Sequence, residues 1–382
     1  MRLVTIAPRD AASAATPFAT LSPVPPAPSG EVAILLAGGA ALTMSGLARI
    51  AGWPVSEGIA QLSLAELLAA DPGLASIRGA FEAANPAAVK LAAVPAGSFR
   101  FLPPIPRPSK AIGVGYNYLS HVREQGLEKP ARPVLFSMFA NAVTGDGMPI
   151  RHPAGTHALD LEAEMAVVIG RRASRVPVAD ALSHVAGYTA ANDVTARDWQ
   201  GQKAALRDGE QGDRQWMRAK GADTFLPVGP VMVTADEWRA DGSPGDGTGL
   251  RVRSWVVKAR DAEAGAGGEA TPRAGVPFLM QDGNTDDLMF SVAELVSMIS
   301  EEVTLEPGDL IVSGTPGGVG VFRTPPQFLE PGDLVRVEVE RIGALTNPVT
   351  DVEGNVPAAT PAARFIASGG SDDPFAGPED AR

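Results

Sequence analysis

The pattern of hydrophobic and polar positions predicts a strand-rich chain with short, scattered helices. Apolar runs bounded by glycine and proline predict strands at RLVTIA, GEVAILLAG and LRVRSWVV. Helices are predicted where a serine precedes a glutamate by three residues, a capping-box pattern found at Ser63 with Glu66 and at Ser291 with Glu294. Because strands and helices do not alternate regularly, the sequence indicates an α+β fold rather than a doubly wound sheet.

Changes in composition divide the chain into three parts. Residues 1–105 are predicted to form a small N-terminal α/β domain, and residues 106–353 the main domain. Within the main domain, the low-complexity segment 259–275 is predicted to be a mobile insertion. Residues 354–382 are predicted to form a disordered tail, because they combine many small and polar residues with few large apolar ones.

Composition and charge exclude several classes of partner and site. The net charge of −12 argues against nucleic acid or an anionic membrane as the main partner, since phosphates would be repelled. The chain has no cysteine, which excludes disulfides, thiolate zinc sites and a cysteine nucleophile. The uncharged stretch 32–48 is slightly short for a membrane span and has a central Gly-Gly, so it is predicted to be a strand, a turn and a helix. With no secretory signal evident, a cytoplasmic location is expected.

Candidate chemistry begins with two glutamates in the apolar run LDLEAEMAVVIG. Glu162 and Glu164 lie two residues apart and therefore face the same way on a strand whose two faces are otherwise largely apolar. Burying two carboxylates together costs several kcal/mol per ion, a cost that a bound divalent cation removes. A solvated strand face or an acid pair remains an alternative. The strand VRVEVERI is a contrast, because one of its faces is predicted to be exposed to solvent along its whole length.

A third oxygen ligand is available at Asp193, where the small-residue strand preceding AANDV ends. Three carboxylates without a cysteine point to a hard metal such as magnesium, manganese or calcium. The alternative is that Asp193, or Thr195 after it, caps the N-terminus of a helix. The residues themselves leave these two interpretations open.

Five segments, quoted in chain order, together resemble the fumarylacetoacetate hydrolase family over roughly residues 105–350. They are LDLEAEMAVVIG, VAGYTAANDVTARDWQ, KGADTFLPVGP, QDGNTDDLMFSVAELVSMIS and LEPGDLIVSGTPGGVG. The resemblance implies a mixed β-sandwich roll, usually as a homodimer. It also implies one Mg²⁺ or Mn²⁺ per chain, with Ca²⁺ able to take its place, held by Glu162, Glu164 and Asp193.

The same resemblance assigns a catalytic role to His121 and Glu124, which are three residues apart and share a helix face. Taken alone, such a pair is an ordinary surface contact. In the family's hydrolytic and decarboxylating members, it lies on a lid over the substrate. There Glu124 would orient His121 and raise its basicity, and His121 would activate water.

Further polar residues carry over from the family as catalytic or substrate-binding groups. Lys220 is implied as catalytic, and Arg197 and Gln200 as groups that hold substrate oxygens, with Thr315 meeting the substrate carboxylate and Tyr118 shaping the loop before the lid. The alternative for Arg197 is an ion pair with the aspartate that follows it.

The chain departs from the family at Met138, where a lysine is common. This position puts the charge of the preferred substrate in doubt.

The function expected from these residues is metal-dependent hydrolysis of a C–C bond in a 1,3-dicarbonyl acid. The substrate class is acylpyruvate or fumarylacetoacetate-like, of the kind met in aromatic catabolism. The alternative within the enzymes is decarboxylation, tautomerisation or isomerisation of a 2-oxo acid such as oxaloacetate, which needs no attacking water. Dehydration of a sugar acid is less well supported. A protein that binds its keto acid without turnover is the alternative from another class.

Overall fold

The computed structural model describes residues 1–9, 30–53, 59–239, 245–262 and 270–375. The strands of the N-terminal half are β1 Arg2–Pro8, β2 Glu31–Leu35, β3 Ala41–Thr43, β4 Phe99–Leu102, β5 Ala111–Gly115, β6 Val134–Met138, β7 Val143–Thr144, β8 Ile150–Arg151, β9 Leu159–Asp160 and β10 Ala163–Ile169. The later strands are β11 Val185–Asn192, β12 Thr195–Ala196, β13 Leu226–Thr234, β14 Arg251–Val257, β15 Phe278–Asn284, β16 Leu310–Val312, β17 Leu334–Val339 and β18 Gly343–Thr350. The α-helices are α1 Met44–Ala51, α2 Leu64–Ala70, α3 Ala75–Ala83, α4 Pro86–Ala92, α5 Leu119–Glu124, α6 Val178–Ala181, α7 Arg197–Gln200, α8 Trp216–Lys220, α9 Ala235–Arg239, α10 Val292–Glu302 and α11 Pro361–Ala367.

Two sheets dominate the fold, which confirms the strand-rich α+β prediction. The larger sheet has the strand order β3-β2-β1-β13-β11-β10-β16-β5-β6, with β4 paired to β1 and β7 paired to β13. The smaller has the order β15-β14-β17-β18-β8 and packs against β10, β11 and β13 of the larger sheet. A two-stranded pairing of β9 with β12 lies beside the ends of β10 and β11.

Strand β10 is buried on both faces, as its sequence predicted. Met165 and Val167 join the apolar core that also contains residues of the smaller sheet, such as Val337. Ala166 and Val168 join a second core, which includes residues of the N-terminal helices. Because strand side chains alternate, the two glutamates at the start of β10 face this second core.

The N-terminal part shares a sheet with the rest of the chain. Strand β1 pairs antiparallel with β2 on one side and with β13 and, further along, β4 on the other. The first 105 residues thus add strands to the large sheet, while a domain boundary near residue 105 stays a prediction. The stretch 32–48 forms the predicted strand, turn and helix as β2, a turn and the start of α1, with the additional short strand β3 before the helix. Within the described residues, no helix has the length and hydropathy needed to cross a membrane.

The disorder predicted for residues 354–382 is wrong for the part up to residue 375. Helix α11 forms there, and the hydroxyl of Thr360 caps it by accepting a hydrogen bond from the backbone N–H of Ala363. Phe365 anchors the helix in a small core with Val257 and Leu334. One buried aromatic side chain therefore outweighs a polar composition. Residues 376–382, and residues 263–269 of the predicted mobile insertion, lie outside the described residues.

Candidate metal centre and active site

Three carboxylates converge where β10 begins and β11 ends. The two strands run antiparallel with Ala163 opposite Asn192, so Glu162 and Glu164 on one side meet Asp193 on the other. One oxygen from each of the three lies within 4.8 Å of the others. All three are buried, with 5%, 2% and 1% of their surface exposed. The structure thus brings together the three residues predicted to hold a metal.

The three carboxyl groups have very different electrostatic environments. Burial alone would raise the pKa of Glu162, but the positive charges of Arg197 and Lys220 outweigh it and lower that pKa to about 2. Burial raises the pKa of Glu164 well above its usual range, and the charges of Asp193 and Glu162 add to the effect. Burial also raises the pKa of Asp193. The protein's own cations therefore compensate only part of the negative charge gathered here.

The cluster fits a hard divalent cation. Asp193 Oδ1 is buried and accepts no hydrogen bond from any described residue, so an electron pair points into the site without a partner. The backbone N–H of Asp193 is used elsewhere, donating to the carbonyl of Glu162 at 3.0 Å. Oxygen-only donors of this kind suit Mg²⁺, Mn²⁺ and Ca²⁺.

The helix-cap alternative for Asp193 and Thr195 is wrong. Helix α7 begins at Arg197, the residue at its N-cap is Ala196, and no side chain caps it. The hydroxyl of Thr195 instead donates to the carbonyl of Asp193.

Two buried cations flank the carboxylates. Lys220, the last residue of α8, donates from Nζ to Glu162 and to Asp193, each at 2.6 Å. Arg197, the first residue of α7, lies 2.9 Å from Asp160 and 2.7 Å from Glu162. These neighbouring acids raise the pKa of Lys220 against the opposing effect of its burial. Lys220 is therefore protonated at neutral pH.

Arg197 does not pair with the aspartate that follows it. Asp198 instead accepts hydrogen bonds from the hydroxyl of Thr156 and the backbone N–H of His157. The alternative of an ordinary Arg197–Asp198 ion pair is therefore wrong. Gln200 accepts a hydrogen bond from Arg197 at 3.2 Å and lines the same cavity.

The predicted dyad is assembled on α5, and its His121 lines the same cavity as the carboxylates. His121 Nδ1 lies 2.6 Å from Glu124 Oε1, and the other oxygen of Glu124 accepts the backbone N–H of Gly318 at 2.8 Å. Ser120 joins the same helix to Asp287 and to Gly317. With Nδ1 engaged, Nε2 is the nitrogen of His121 that remains for proton transfer.

The glycine-rich segment after β16 supports the carboxylates through its backbone. Gly314 donates its N–H to Glu164 at 2.5 Å. The hydroxyl of Thr315 donates to the carbonyl of Ala163 and accepts from Gln281 at 2.6 Å. Thr315 lines the cavity as predicted, although its hydroxyl already has two partners.

The cavity between His121 and the carboxylates has a volume of about 20 Å³, which is the space of about one water molecule. Sequence reasoning missed seven of the residues that line it. They are Val114, Gly115, Tyr116, Gln125, Phe136, Gln202 and Trp216. Tyr116 has a left-handed φ of 56°, and its ring lies 6.0 Å from that of Trp216, which in turn lies 5.3 Å from Phe136. A tyrosine between glycine and Asn117 was the one local signal for these contacts.

Two predicted positions are buried and do not line the cavity. Tyr118 is fully buried and is not among the residues that line the cavity, so its predicted contact with substrate has no support in this geometry. Its neighbour Asn117 holds the loop by bonding to Phe290 and to Ser313. Met138 is buried in β6 opposite Ala111 and does not line the cavity either. Having Met138 in place of the family's lysine therefore does not remove a charge from the residues that line the cavity.

Comparisons of sequence place these features in context. Residues 110–350 match the family model described as fumarylacetoacetate (FAA) hydrolase C-terminal. The protein named oxaloacetate tautomerase FAHD2B, mitochondrial, of Bos taurus is 41% identical over 262 residues, which cover 69% of this chain and 73% of that protein. The oxaloacetate tautomerase FAHD2A, mitochondrial, of Homo sapiens is 38% identical with the same coverage.

Solved structures share the fold. A putative HpcE protein from Mycobacterium smegmatis superposes with a TM-score of 0.64 at 26% identity, covering 92% of this chain and 99% of that one. A 2-hydroxyhepta-2,4-diene-1,7-dioate isomerase from Mycobacterium marinum has a TM-score of 0.52 at 36% identity, covering 68% and 81%. A fumarylacetoacetate hydrolase from Exiguobacterium antarcticum has a TM-score of 0.60 at 29% identity, covering 84% and 95%.

Proposed function

The chain belongs to the fumarylacetoacetate hydrolase family, and from this premise we propose that it is a divalent-metal-dependent tautomerase. The reaction is the interconversion of the enol and keto forms of a short 2-oxo acid such as oxaloacetate. One observation carries the proposal: the three-carboxylate cluster and His121, which Glu124 holds through Nδ1, line a single small cavity. Relatives named oxaloacetate tautomerases and a solved isomerase support this choice of reaction.

The metal site belongs to Glu162, Glu164 and Asp193. A divalent cation held there supplies Lewis acidity toward the oxygens of a 2-oxo acid. The chain's own contribution on this side is charge balance, because Lys220 holds two of the carboxylates in place through hydrogen bonds of 2.6 Å. Either magnesium or manganese suits these donors.

Proton transfer is the task of His121. In the direction from enol to keto form, the enol O–H bond breaks and a C–H bond forms at the adjacent carbon. No other atom is gained or lost. Glu124 fixes the ring through Nδ1, so Nε2 can take up and return the proton. The protonated amine of Lys220 stabilises the negative charge that develops between the two steps.

Hydrolysis of a C–C bond, the first expectation from the sequence, needs the same cluster and an attacking water in addition. The tautomerase names of the relatives favour a reaction without water. Decarboxylation of oxaloacetate is the neighbouring outcome, since it passes through the same enolate.

The homodimer and the cytoplasmic location stay predictions, and the relatives named above carry the word mitochondrial in their names.

The test is a stopped-flow assay of enol loss from oxaloacetate with Mg²⁺, with Mn²⁺ and with chelator, with the uncatalysed rate subtracted. We expect a metal-dependent rate without release of CO₂ or of cleavage products by mass. His121→Ala should lower that rate about 10²–10⁴-fold, the usual contribution of a general acid–base group, with Mn²⁺ affinity unchanged. The control is His184→Ala, because His184 lies outside the cavity. Water-derived cleavage products would replace the proposal with hydrolysis, and an unchanged His121→Ala rate would remove the dyad from it.

A further inference from the structure

The cations that line the metal cavity are all paired with carboxylates. Lys220 lies 2.6 Å from both Glu162 and Asp193, and Arg197 lies 2.7 Å from Glu162. His121 is held by its own glutamate at 2.6 Å. A substrate group that lies away from the carboxylate cluster therefore meets no unpaired cation on the described part of the wall.

The side chains of three glutamines also line the cavity, and two of them, Gln125 and Gln202, come from different elements. Gln125 follows α5 at its C-cap, and its Nε2 makes only one long bond of 3.3 Å, to the carbonyl of His121. Gln202 lies in the turn after α7, where its backbone N–H bonds to Arg197. In the part of the chain that the structure describes, no group forms a hydrogen bond with the side chain of Gln202. The neighbouring Gln200 differs, because its Oε1 already accepts from Arg197.

Resting on the proposed function, we propose that Gln125 and Gln202 bind the end of the substrate that points away from the metal. They select 2-oxo acids by hydrogen bonding at that end rather than by charge. Each amide offers two N–H donors and one acceptor oxygen, so the pair can bond a carboxylate or a carboxamide. Neutral donors favour an anion less strongly than a guanidinium does. The substrate class is therefore a short 2-oxo acid with either group at its fourth carbon.

This recognition explains how a dianionic substrate can be held in a strongly acidic protein. The cavity contains an intact acidic cluster, and its cations are consumed in balancing it. An extra cation at the far end would pair with these acids in the absence of substrate. Uncharged amides avoid that competition and still satisfy the distal oxygens.

Charge substitution separates this role from a structural one. The substrates are oxaloacetate and its 4-carboxamide, which differ only in charge and donors at the distal end. In the wild-type protein, we expect their kcat/KM values to agree within about tenfold, since neutral hydrogen bonds discriminate weakly between them. Gln202→Glu and Gln125→Glu should each lower kcat/KM for oxaloacetate by about tenfold or more through KM, because like charges then face each other. The carboxamide should change by less than about threefold, since its N–H groups can donate to the new carboxylate.

Two controls complete the experiment. Gln215→Glu adds the same charge at an exposed position outside the cavity and should leave both substrates unchanged. Oxalate is the probe for the metal end, because it chelates but has no distal group, and its inhibition constant should be the same in all variants. A parallel fall for both substrates, or weaker inhibition by oxalate, would overturn the inference. A wild-type protein that does not accelerate enol loss would contradict the proposed function instead. In that event, the affinities of the two compounds for the same variants, measured by calorimetry with Mn²⁺, decide the inference.

Discussion

Two strands of this protein carry charged residues with the same two-residue spacing, and the structure uses them in opposite ways. At the start of β10, Glu162 and Glu164 are 5% and 2% exposed. On β17, Arg336 and Glu338 share a face that is partly solvated, and Glu338 pairs with Arg253 of the neighbouring strand. The opposite face of β17 is buried, with Val337 at 1% exposure. The spacing thus determines only that two side chains share a face.

What makes the β10 pair a site is supplied from far along the chain. Asp193 comes from the end of β11, Lys220 from α8 and Gly314 from the segment after β16. The β17 face receives Arg253, which pairs with Glu338, and Asp373, which pairs with Arg336. In the low dielectric of the protein interior, these partners determine whether a carboxylate acts as a strong metal ligand or destabilises the fold.

The largest effect is expected at Glu164. Glu164→Gln removes a ligand charge while keeping the side-chain shape. We expect metal-dependent activity to fall by about a thousandfold or more, the factor that corresponds to about 4 kcal/mol of lost Lewis-acid stabilisation. Calorimetric titration with Mn²⁺ should show a parallel loss of affinity. Normal Mn²⁺ binding in this variant would refute the assignment of Glu164 as a ligand.

An intermediate effect is expected at Lys220. Lys220→Met leaves the carboxylates of Glu162 and Asp193 without their shared partner, which should cost about 3–5 kcal/mol of unfolding free energy in metal-free protein. Saturating Mg²⁺ should restore part of this loss, because a cation then balances the same charges. Urea unfolding with and without Mg²⁺ measures both quantities. Equal losses under the two conditions would show that Lys220 stabilises the fold independently of the metal site.

The smallest effect is expected at Glu338, which serves as the matched substitution. Glu338→Gln should change the unfolding free energy by less than about 1 kcal/mol, because partly exposed ion pairs contribute little. Its activity and Mn²⁺ affinity should equal those of the wild type. A large effect in the same urea titration would mean that the contrast between the two strands is overstated.

Much of the site could be predicted from the sequence, because its local patterns are strong. The apolar surroundings of Glu162 and Glu164 indicated burial, and both capping boxes formed as their spacing predicted. The helical spacing of His121 and Glu124 likewise placed the dyad on one face. These features depend on neighbours within a few residues, which a sequence displays directly.

The remaining parts depend on contacts between distant segments. Asp160, which holds Arg197, and the aromatic residues Phe136 and Trp216 carry no local signal of their place at the cavity. Helix α11 was missed because Phe365 finds its core only beside β14 and β17. A polar composition lowers the expected stability of a segment, but it does not show what a single aromatic side chain meets in the fold.

Glu124 makes two bonds that join different parts of the molecule. One of its oxygens holds His121 and the other holds the backbone of Gly318, so a single carboxylate ties base orientation to the docking of the helix. A movement of α5 away from the carboxylates would break the bond between Glu124 and Gly318, because these residues belong to different segments. The bond between Glu124 and His121 lies within the helix and would move with it. The orientation of the His121 ring is therefore set inside α5, while its distance from the carboxylates is set by the contact with Gly318.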